Sequence, residues 1–396
     1  MVHIIRIQVK GMNMTKVLHL SQTNIKYDSR ILKEMISLDN SSLKLDIFGI
    51  GAELDNTTHK EGDKNNLSIC TIALASRKFK TPFKFIRRAF SVIELTVRMF
   101  YKALKFRPDV IHCHDTAVLP LGVLLKLFMK TKVIYDAHEL ESNRNELGRF
   151  TGKLVLMVEK ILWRFVDALI VVSPSIEKWY QHNIGDKLSE VIMNSPQLTN
   201  NTLEFDKNYL KKHFNIKSEE KVFIYIGGLQ VGRGLDVLLD VFKKDDIKSH
   251  LVFLGYGPLK DEILAISKEF ENIHLHDAVP HDQVVSIAKS ADVGLCFIQN
   301  VSLSDYYCLP NKLFEYGFSE IPVLASNFPD ILETVESYNL GKCSDLEFSS
   351  IYKAIQDFEL MNELPQINAE KLYPLSWEAQ EKKLIELYKK VLRRKV

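Results

Sequence analysis

The feature that most constrains this chain is a series of short runs, apolar at consecutive positions, separated by amphipathic stretches of helical period. Val222-Phe-Ile-Tyr-Ile226 and Leu169-Ile-Val-Val172 are the clearest. A strand with one wet face alternates; a strand apolar throughout is covered on both faces, as in a parallel sheet between helices. Such runs fall at Val17–Ser21, Leu43–Ile50, Leu67–Leu74, Asp109–Cys113, Lys132–Asp136, Ala168–Val172 and Val191–Met193. They recur at Val222–Gly227, His250–Gly255, Asn272–Leu275, Ala291–Ile298 and Ile321–Ala325. Strand–helix alternation of this kind predicts doubly wound α/β units. A polar, proline-bearing stretch at 195–203 predicts a linker between two of them. Residues 1–198 are therefore expected to form one Rossmann-like domain and 199–375 a second, with parallel sheets facing a central cleft. A closing helix at 376–396 is expected to complete the first domain.

Composition removes several classes. With 46% hydrophobic and 26% charged residues the chain is neither disordered nor fibrous. The five cysteines, Cys70, Cys113, Cys296, Cys308 and Cys343, are widely spaced and form no Cys-x-x-Cys pair. That argues against a disulfide framework or a zinc ribbon and fits a reducing cytoplasm. Val118–Met129 and Leu154–Val172 are too short or too charged for a bilayer span of about 20 residues. Met1–Lys10 is too short and too basic for a secretory leader, and Met14 is a candidate start.

Charge is concentrated. Residues 77–107 hold ten basic residues against Glu94 alone, a net +9 in a chain whose total is +2. Phe83, Phe90, Ile93, Val97 and Phe100 interleave with them. Two readings stand: a solvated helix over a core, or a surface that meets anionic lipid or a phosphate-bearing acceptor. On the second, Lys84, Arg87 and Arg88 face the acceptor or the membrane. The near-neutral chain argues against nucleic acid as a partner.

Three segments carry chemistry. Leu309-Pro310-Asn311-Lys312-Leu313-Phe314-Glu315-Tyr316 puts a proline at a helix start, whose free N–H groups attract phosphate. Glu315, one turn in, can accept hydrogen bonds from a ribose diol. Gly227-Gly228-Leu-Gln-Val-Gly-Arg233-Gly234 lets backbone approach a ligand, with Arg233 able to fork onto phosphate oxygens. It has neither Walker nor Gly-x-Gly-x-x-Gly spacing. Asp109-Val-Ile-His-Cys-His-Asp115 and Tyr135-Asp-Ala-His-Glu-Leu140 end two apolar strands in polar clusters, which would point them into one cleft. His112 and His114 are read as alternating across their strand, poor geometry for zinc, so no metal is expected.

Taken with Leu251-Val-Phe-Leu-Gly255-Tyr-Gly-Pro-Leu and Asn272–Ile298, these segments resemble the retaining GT-B glycosyltransferases of family 4, across essentially all of the second half. The first half resembles them more weakly. The resemblance implies a metal-independent transfer of a hexose-type sugar, with retained configuration, from a nucleotide sugar, and the +9 segment points to a lipid-linked or cell-envelope glycan as the acceptor. The resemblance implies no cofactor beyond that co-substrate, while the cysteine pattern and the basic segment lead to the expectation of a cytoplasmic protein seated peripherally on the inner membrane face. His114 would contact the transferred sugar and His138 would lie near the reacting centre, with Arg233 and Glu315 completing the catalytic set. Gly227, Gly228, Arg233, Gly234, Gly255, Tyr307, Pro310, Asn311, Lys312, Leu313 and Glu315 would hold the donor. The sequence departs at Tyr307, where the family's first glutamate would stand; Ser302, Ser304 and Asp305 are the candidate substitutes. The absence of any Asp-x-Asp fits the metal-free class. A nucleotide-sugar isomerase on the same fold and a catalytically silent binding protein are the competing readings.

Overall fold

The computed structural model describes residues 14–53, 62–64, 67–78, 84–145, 147–198 and 206–393. The chain folds as two α/β units. The first contains β1 (Thr15–Leu20), α1 (Ser29–Asp39), β2 (Leu45–Ala52), β3 (Gly62–Lys64) and β4 (Leu67–Ile72). It continues through α2 (Lys84–Phe106), β5 (Val110–His114), α3 (Leu119–Met129), β6 (Lys132–Ala137) and α4 (Arg149–Leu162). It ends with β7 (Ala168–Val171), α5 (Pro174–Asn183) and β8 (Leu188–Val191). Their sheet has the order β3-β4-β2-β1-β5-β6-β7-β8, parallel except for β3 at its edge.

The second unit opens with α6 (Tyr209–His213), β9 (Val222–Ile226), α7 (Leu235–Phe242), β10 (His250–Leu254) and α8 (Lys260–Ile266). Then come β11 (Ile273–His276), α9 (His281–Ala288), β12 (Val293–Cys296), α10 (Leu303–Tyr306) and α11 (Asn311–Phe318). β13 (Val323–Ser326), α12 (Pro329–Ser337), β14 (Gly341–Ser344) and α13 (Phe348–Leu360) complete it. The sheet order is β11-β10-β9-β12-β13-β14, all parallel. Each sheet has an apolar core on both faces, which is why β5, β6, β9 and β12 are buried at every position.

The last helix, α14 (Trp377–Arg393), crosses back. Trp377, Leu384, Leu387, Tyr388 and Val391 recur at helical spacing and enter the core formed by α1, β1, β2 and β5. Trp377 Nε1 donates to Ser37 Oγ at 2.9 Å, and Lys33 Nζ lies 4.7 Å from the Trp377 ring centre.

Three differences from the sequence reading share one cause. β3 and β14 are polar edge strands, each paired on one side only, so neither needs an apolar run. β8 lies at 188–191, ahead of the more apolar Val191–Met193. Ile192 and Met193 are buried as the chain leaves the sheet. The proposed linker lies in part outside the described residues. On α2, Leu95, Met99 and Ala103 face the core, while Ile86, Phe90, Ile93, Val97 and Tyr101 face outward. Arg87 and Arg88 are exposed; the side chain of Lys84 lies outside the described residues.

Candidate functional site

In open α/β sheets ligands gather at the carboxyl ends of the strands, and both sheets present their loops there. In the second unit these loops enclose a cavity of about 510 Å³. It is lined by Gly227, Gly228 and Arg233 after β9, Gly255 after β10, and Pro310, Asn311, Lys312 and Glu315 at the start of α11. Gly227 has φ +130°, and a Cβ on Gly255 would lie 1.9 Å from the Gly227 carbonyl oxygen, so the two loops cross with no room for a side chain. Pro310 leads into α11 in extended conformation, and no side chain caps its first turn. Leu313 N–H already bonds the Pro310 carbonyl at 3.0 Å, which leaves the Asn311 and Lys312 N–H groups for a ligand.

Lys312 is buried, its Nζ has no hydrogen-bond partner among the described residues, and the ammonium lies 3.7 Å from the Tyr225 ring centre. A buried ammonium without a carboxylate is expensive, and a ring face offsets only part of that cost. Arg233 adds a second cation with no ion pair among the described residues. The cavity therefore combines two cations and a helix N-terminus, an arrangement suited to a diphosphate, with Glu315 one turn deeper.

Three residues assigned to this cavity by sequence face elsewhere. Leu313 is fully buried in the core beneath α11, since it lies on the helix face turned to the sheet. Gly234, with φ +70°, precedes α7; a Cβ there would meet Leu346 and Phe297, so its role is the turn. Tyr307 packs against the first unit's core, and its carbonyl accepts from Ser173 Oγ at 2.6 Å, so it joins the two units.

A second cavity, about 300 Å³, lies between the units. Asp28, Ser29, Arg30, His138 and Glu139 line it on one side; Ser304, Cys308, Leu309 and Asn311 line it on the other. Ser29 and Asn311 border both cavities, so the two adjoin. Of the three candidate substitutes for the missing glutamate, only Ser304 is here, and its Oγ already accepts from Leu140 N–H at 3.1 Å. Ser302 and Asp305 bond each other at 2.6 Å as the cap of α10.

Behind His138 lies a buried polar network. Asp136 Oδ1 accepts from Arg30 Nη2 at 2.9 Å. Asp136 Oδ2 lies 3.0 Å from His138 Nε2, 3.1 Å from His114 Nδ1 and 3.6 Å from His112 Nε2. His19 Nδ1 is 2.9 Å from His114 Nε2, and His112 Nδ1 is 2.8 Å from the Tyr388 hydroxyl. Arg30 also reaches Glu34 at 3.2 Å and the Ile192 carbonyl at 2.8 Å.

Two expectations fail here. His114 is fully buried, one layer behind His138, and lines neither cavity, so in this arrangement it does not meet a sugar. His112 and His114 do not alternate faces: side chains two apart on a strand share a face, and their rings stack at 4.4 Å. With His19 they form one cluster close enough to share an ion, and with Glu34 and Asp136 a second. The Arg30 guanidinium already holds both carboxylates, however, and a dication beside it would meet like charge.

Burial alone would push the Asp136 carboxyl up, but Arg30 and His138 hold it well below the usual carboxylate range. Burial would lower His138, yet Asp136 and then Asp115 raise it to about 9, so it is cationic at neutral pH. Burial raises Glu34 to about 8 and lowers His114 well below the ordinary imidazole value. The folded-state value of His138 lies above its unfolded value. Its charge therefore stabilises the fold fully below about pH 6.5, and that contribution is lost as pH rises through about 9. Glu34, raised on folding, weakens the fold in the same direction between about pH 4.5 and 8. The melting temperature should fall from pH 6 to pH 9, and less steeply in His138→Gln. A flat profile would contradict the network.

Arg30 and Asp136 were not singled out as site residues from sequence. Each had a signal: an arginine in the first turn of a helix capped by Asp28, and an aspartate near the end of a strand that is mostly apolar after Lys132.

Comparison with known proteins follows the same division. Residues 59–195 match the family described as Glycosyltransferase Family 4, and residues 206–371 match Glycosyl transferases group 1. The chitobiosyldiphosphodolichol beta-mannosyltransferase of Candida albicans is 26% identical over 254 residues, 58% of this chain and 55% of that protein. The chain spans about half the length of the first curated relatives it matches. Among solved structures, the sucrose-phosphate synthase of Thermosynechococcus elongatus superposes with a TM-score of 0.76 at 14% identity, covering 96% of this chain and 99% of that one. HepE of Anabaena, solved with UDP, gives 0.68 at 14%, covering 95% and 100%. At such identity the likeness establishes the fold, which is GT-B. By both family matches and by that fold, this chain belongs to the family 4, group 1 glycosyltransferases.

Proposed function

We propose that this chain transfers a hexose-type sugar from a nucleotide sugar to a lipid-linked or cell-envelope glycan, retaining the anomeric configuration and needing no metal. The observation that carries this is the unpartnered Lys312 ammonium beside Arg233 and the open N-terminus of α11. Charge develops on the leaving diphosphate, and these groups would stabilise it without a metal. Glu315 would take the ribose diol. The adjoining cavity at His138 would hold the sugar and the attacking acceptor hydroxyl. His138 is cationic and faces Asp136 and Asp115, so it serves as a donor rather than a base. That favours the retaining route, in which the leaving diphosphate takes the acceptor proton. His114 acts through the network, as a positioning residue.

The lipid-linked acceptor and a peripheral seat on an anionic membrane rest on α2, whose outward apolar stripe runs beside exposed Arg87 and Arg88. They also draw on the Candida relative, named for a dolichyl-diphosphate-linked substrate. No helix among the described residues is long and apolar enough to cross a membrane. Vesicles containing phosphatidylglycerol should bind the protein and release it as salt rises. Reversing Arg87 and Arg88 to Glu should weaken binding on the order of 10-fold or more at low salt. Binding indifferent to lipid charge would count against this seat.

The reaction itself is tested with UDP- and GDP-sugars carrying ¹³C at the anomeric carbon, in chelator, with membrane extract as acceptor. Nucleoside diphosphate should appear only with acceptor, and the product should keep the donor's configuration. Inversion would overturn the retaining route and point to Glu139, a cavity-lining carboxylate raised by burial, as base. A sugar altered without acceptor would favour the isomerase.

A further inference from the structure

The helical layer over one face of the first sheet is apolar on its outer side. Besides the α2 stripe, α4 exposes Phe150, Leu154, Met157 and Ile161 at helical spacing. Between them, α3 exposes Leu124, Leu127 and Phe128. Water-facing helix surfaces are polar, and three adjacent apolar stripes mark a surface meant to be covered.

A groove of about 360 Å³ runs between α3 and α4. Pro120 forms one wall; Leu154, Val155 and Val158 form the other. Leu154 belongs to both the groove and the outer stripe, so the groove opens onto the apolar surface. Its other end reaches Thr116 and Glu141 at the carboxyl edge of the sheet, close to the cleft. Burial raises the Glu141 carboxyl to about 8, and the Arg144 guanidinium, 3.6 Å from it, makes this end cationic. A second recess of about 370 Å³ shares Arg144 and Leu147 with the groove and adds Arg149 and Lys153. Both of these are exposed, and neither has a carboxylate partner among the described residues.

We infer that the α3–α4 groove binds the hydrocarbon chain of a long-chain lipid phosphate acceptor, with its phosphate against Arg149 and Lys153 and its saccharide directed to the His138 cavity. This rests on the lipid-linked acceptor of the proposed function. The commitment to a lipid comes from continuity and charge. One end of the groove meets a surface fit for a bilayer, the other meets the cleft, and cations stand where a headgroup phosphate would leave the chain. A water-soluble acceptor would need no apolar channel.

The test uses the full chain and calorimetric titration with geranylgeranyl phosphate, geranylgeraniol and inorganic phosphate. The lipid phosphate should bind best. Val158→Trp, which fills the groove, should weaken it at least 10-fold. Arg149→Glu with Lys153→Glu should weaken the phosphate but not the alcohol. Leu360→Ser, an exposed apolar site on the second unit, should change nothing. Thermal shifts with UDP or GDP are measured on every variant. They report the donor cavity and the fold separately from the groove, so failure of the donor reading and failure of this one are distinct. If Val158→Trp loses its nucleotide response, the milder Leu154→Ser decides; it should weaken binding about threefold or more. Unchanged lipid binding in these variants, or inorganic phosphate binding as well as the lipid, would overturn the inference.

Discussion

Lys312→Met should leave the protein folded and nearly blind to nucleotide. Methionine keeps the length of the side chain and its contact with Tyr225 but removes a buried charge that has no hydrogen-bond partner among the described residues. Relieving that charge should leave the melting temperature of the free protein unchanged or raise it. A charge-assisted hydrogen bond contributes about 1.5–3 kcal/mol, so affinity for UDP or GDP should fall about 10- to 150-fold. Turnover should fall further, roughly 10²- to 10³-fold, because the diphosphate gains charge as the glycosidic bond breaks. Arg233→Ala should act in the same direction, and the two losses should not add fully, since both groups address one ligand. Glu315→Ala should weaken the nucleoside diphosphate and leave inorganic pyrophosphate untouched, because it would take the ribose. A Lys312→Met protein that binds nucleotide as tightly as the native chain would remove the foundation of the functional reading.

The largest expected effect on stability comes from Arg30→Met. The guanidinium is buried among Asp136, Glu34 and the Ile192 carbonyl, and it joins α1 to β6 and to the chain leaving β8. Its loss strands part of the fully buried Asp136 charge, with His138 as the remaining cation, and breaking one partner of a buried pair costs about 3–5 kcal/mol. For a domain of this size each kcal/mol moves the melting temperature by about 2–4 °C, so a fall of roughly 6–20 °C is expected. Arg30→Met combined with Asp136→Asn should recover part of it, because the second change removes the stranded charge. Thermal and urea melts of the single and double variants measure this directly. A fall of a degree or two would show that the network is incidental.

The fold was legible because its central strands are covered on both faces, a condition that leaves no polar position to mislead. Val222–Ile226 and Ala168–Val171 announce themselves for that reason. The edge strands Gly62–Lys64 and Gly341–Ser344 did not, since a strand with one neighbour has no need of such a run. In the site, glycines and the proline-led helix start were readable because their constraints are local: Gly255 must lack a side chain where it crosses Gly227. Leu313 and Tyr307 were misplaced because a sequence window does not say which side of a short helix faces the ligand. The depth of His114 was hidden for a different reason. It depends on His19, Arg30 and Asp136 arriving from three other elements, which no local pattern records.

The return of α14 has a mechanical consequence. The chain passes between its halves twice, and the two passages are tied together: Trp377 N–H donates to the Pro196 carbonyl at 3.0 Å, and the Leu198 N–H to Glu378 Oε1 at 3.0 Å. A pair of threads knotted at one spot acts like the pin of a door. A swing of the halves about that pin must first open the bonds that Tyr307, Ser304 and Asp330 make with the first unit, so the fastenings near the cleft hold residues 227–315 in register with His138.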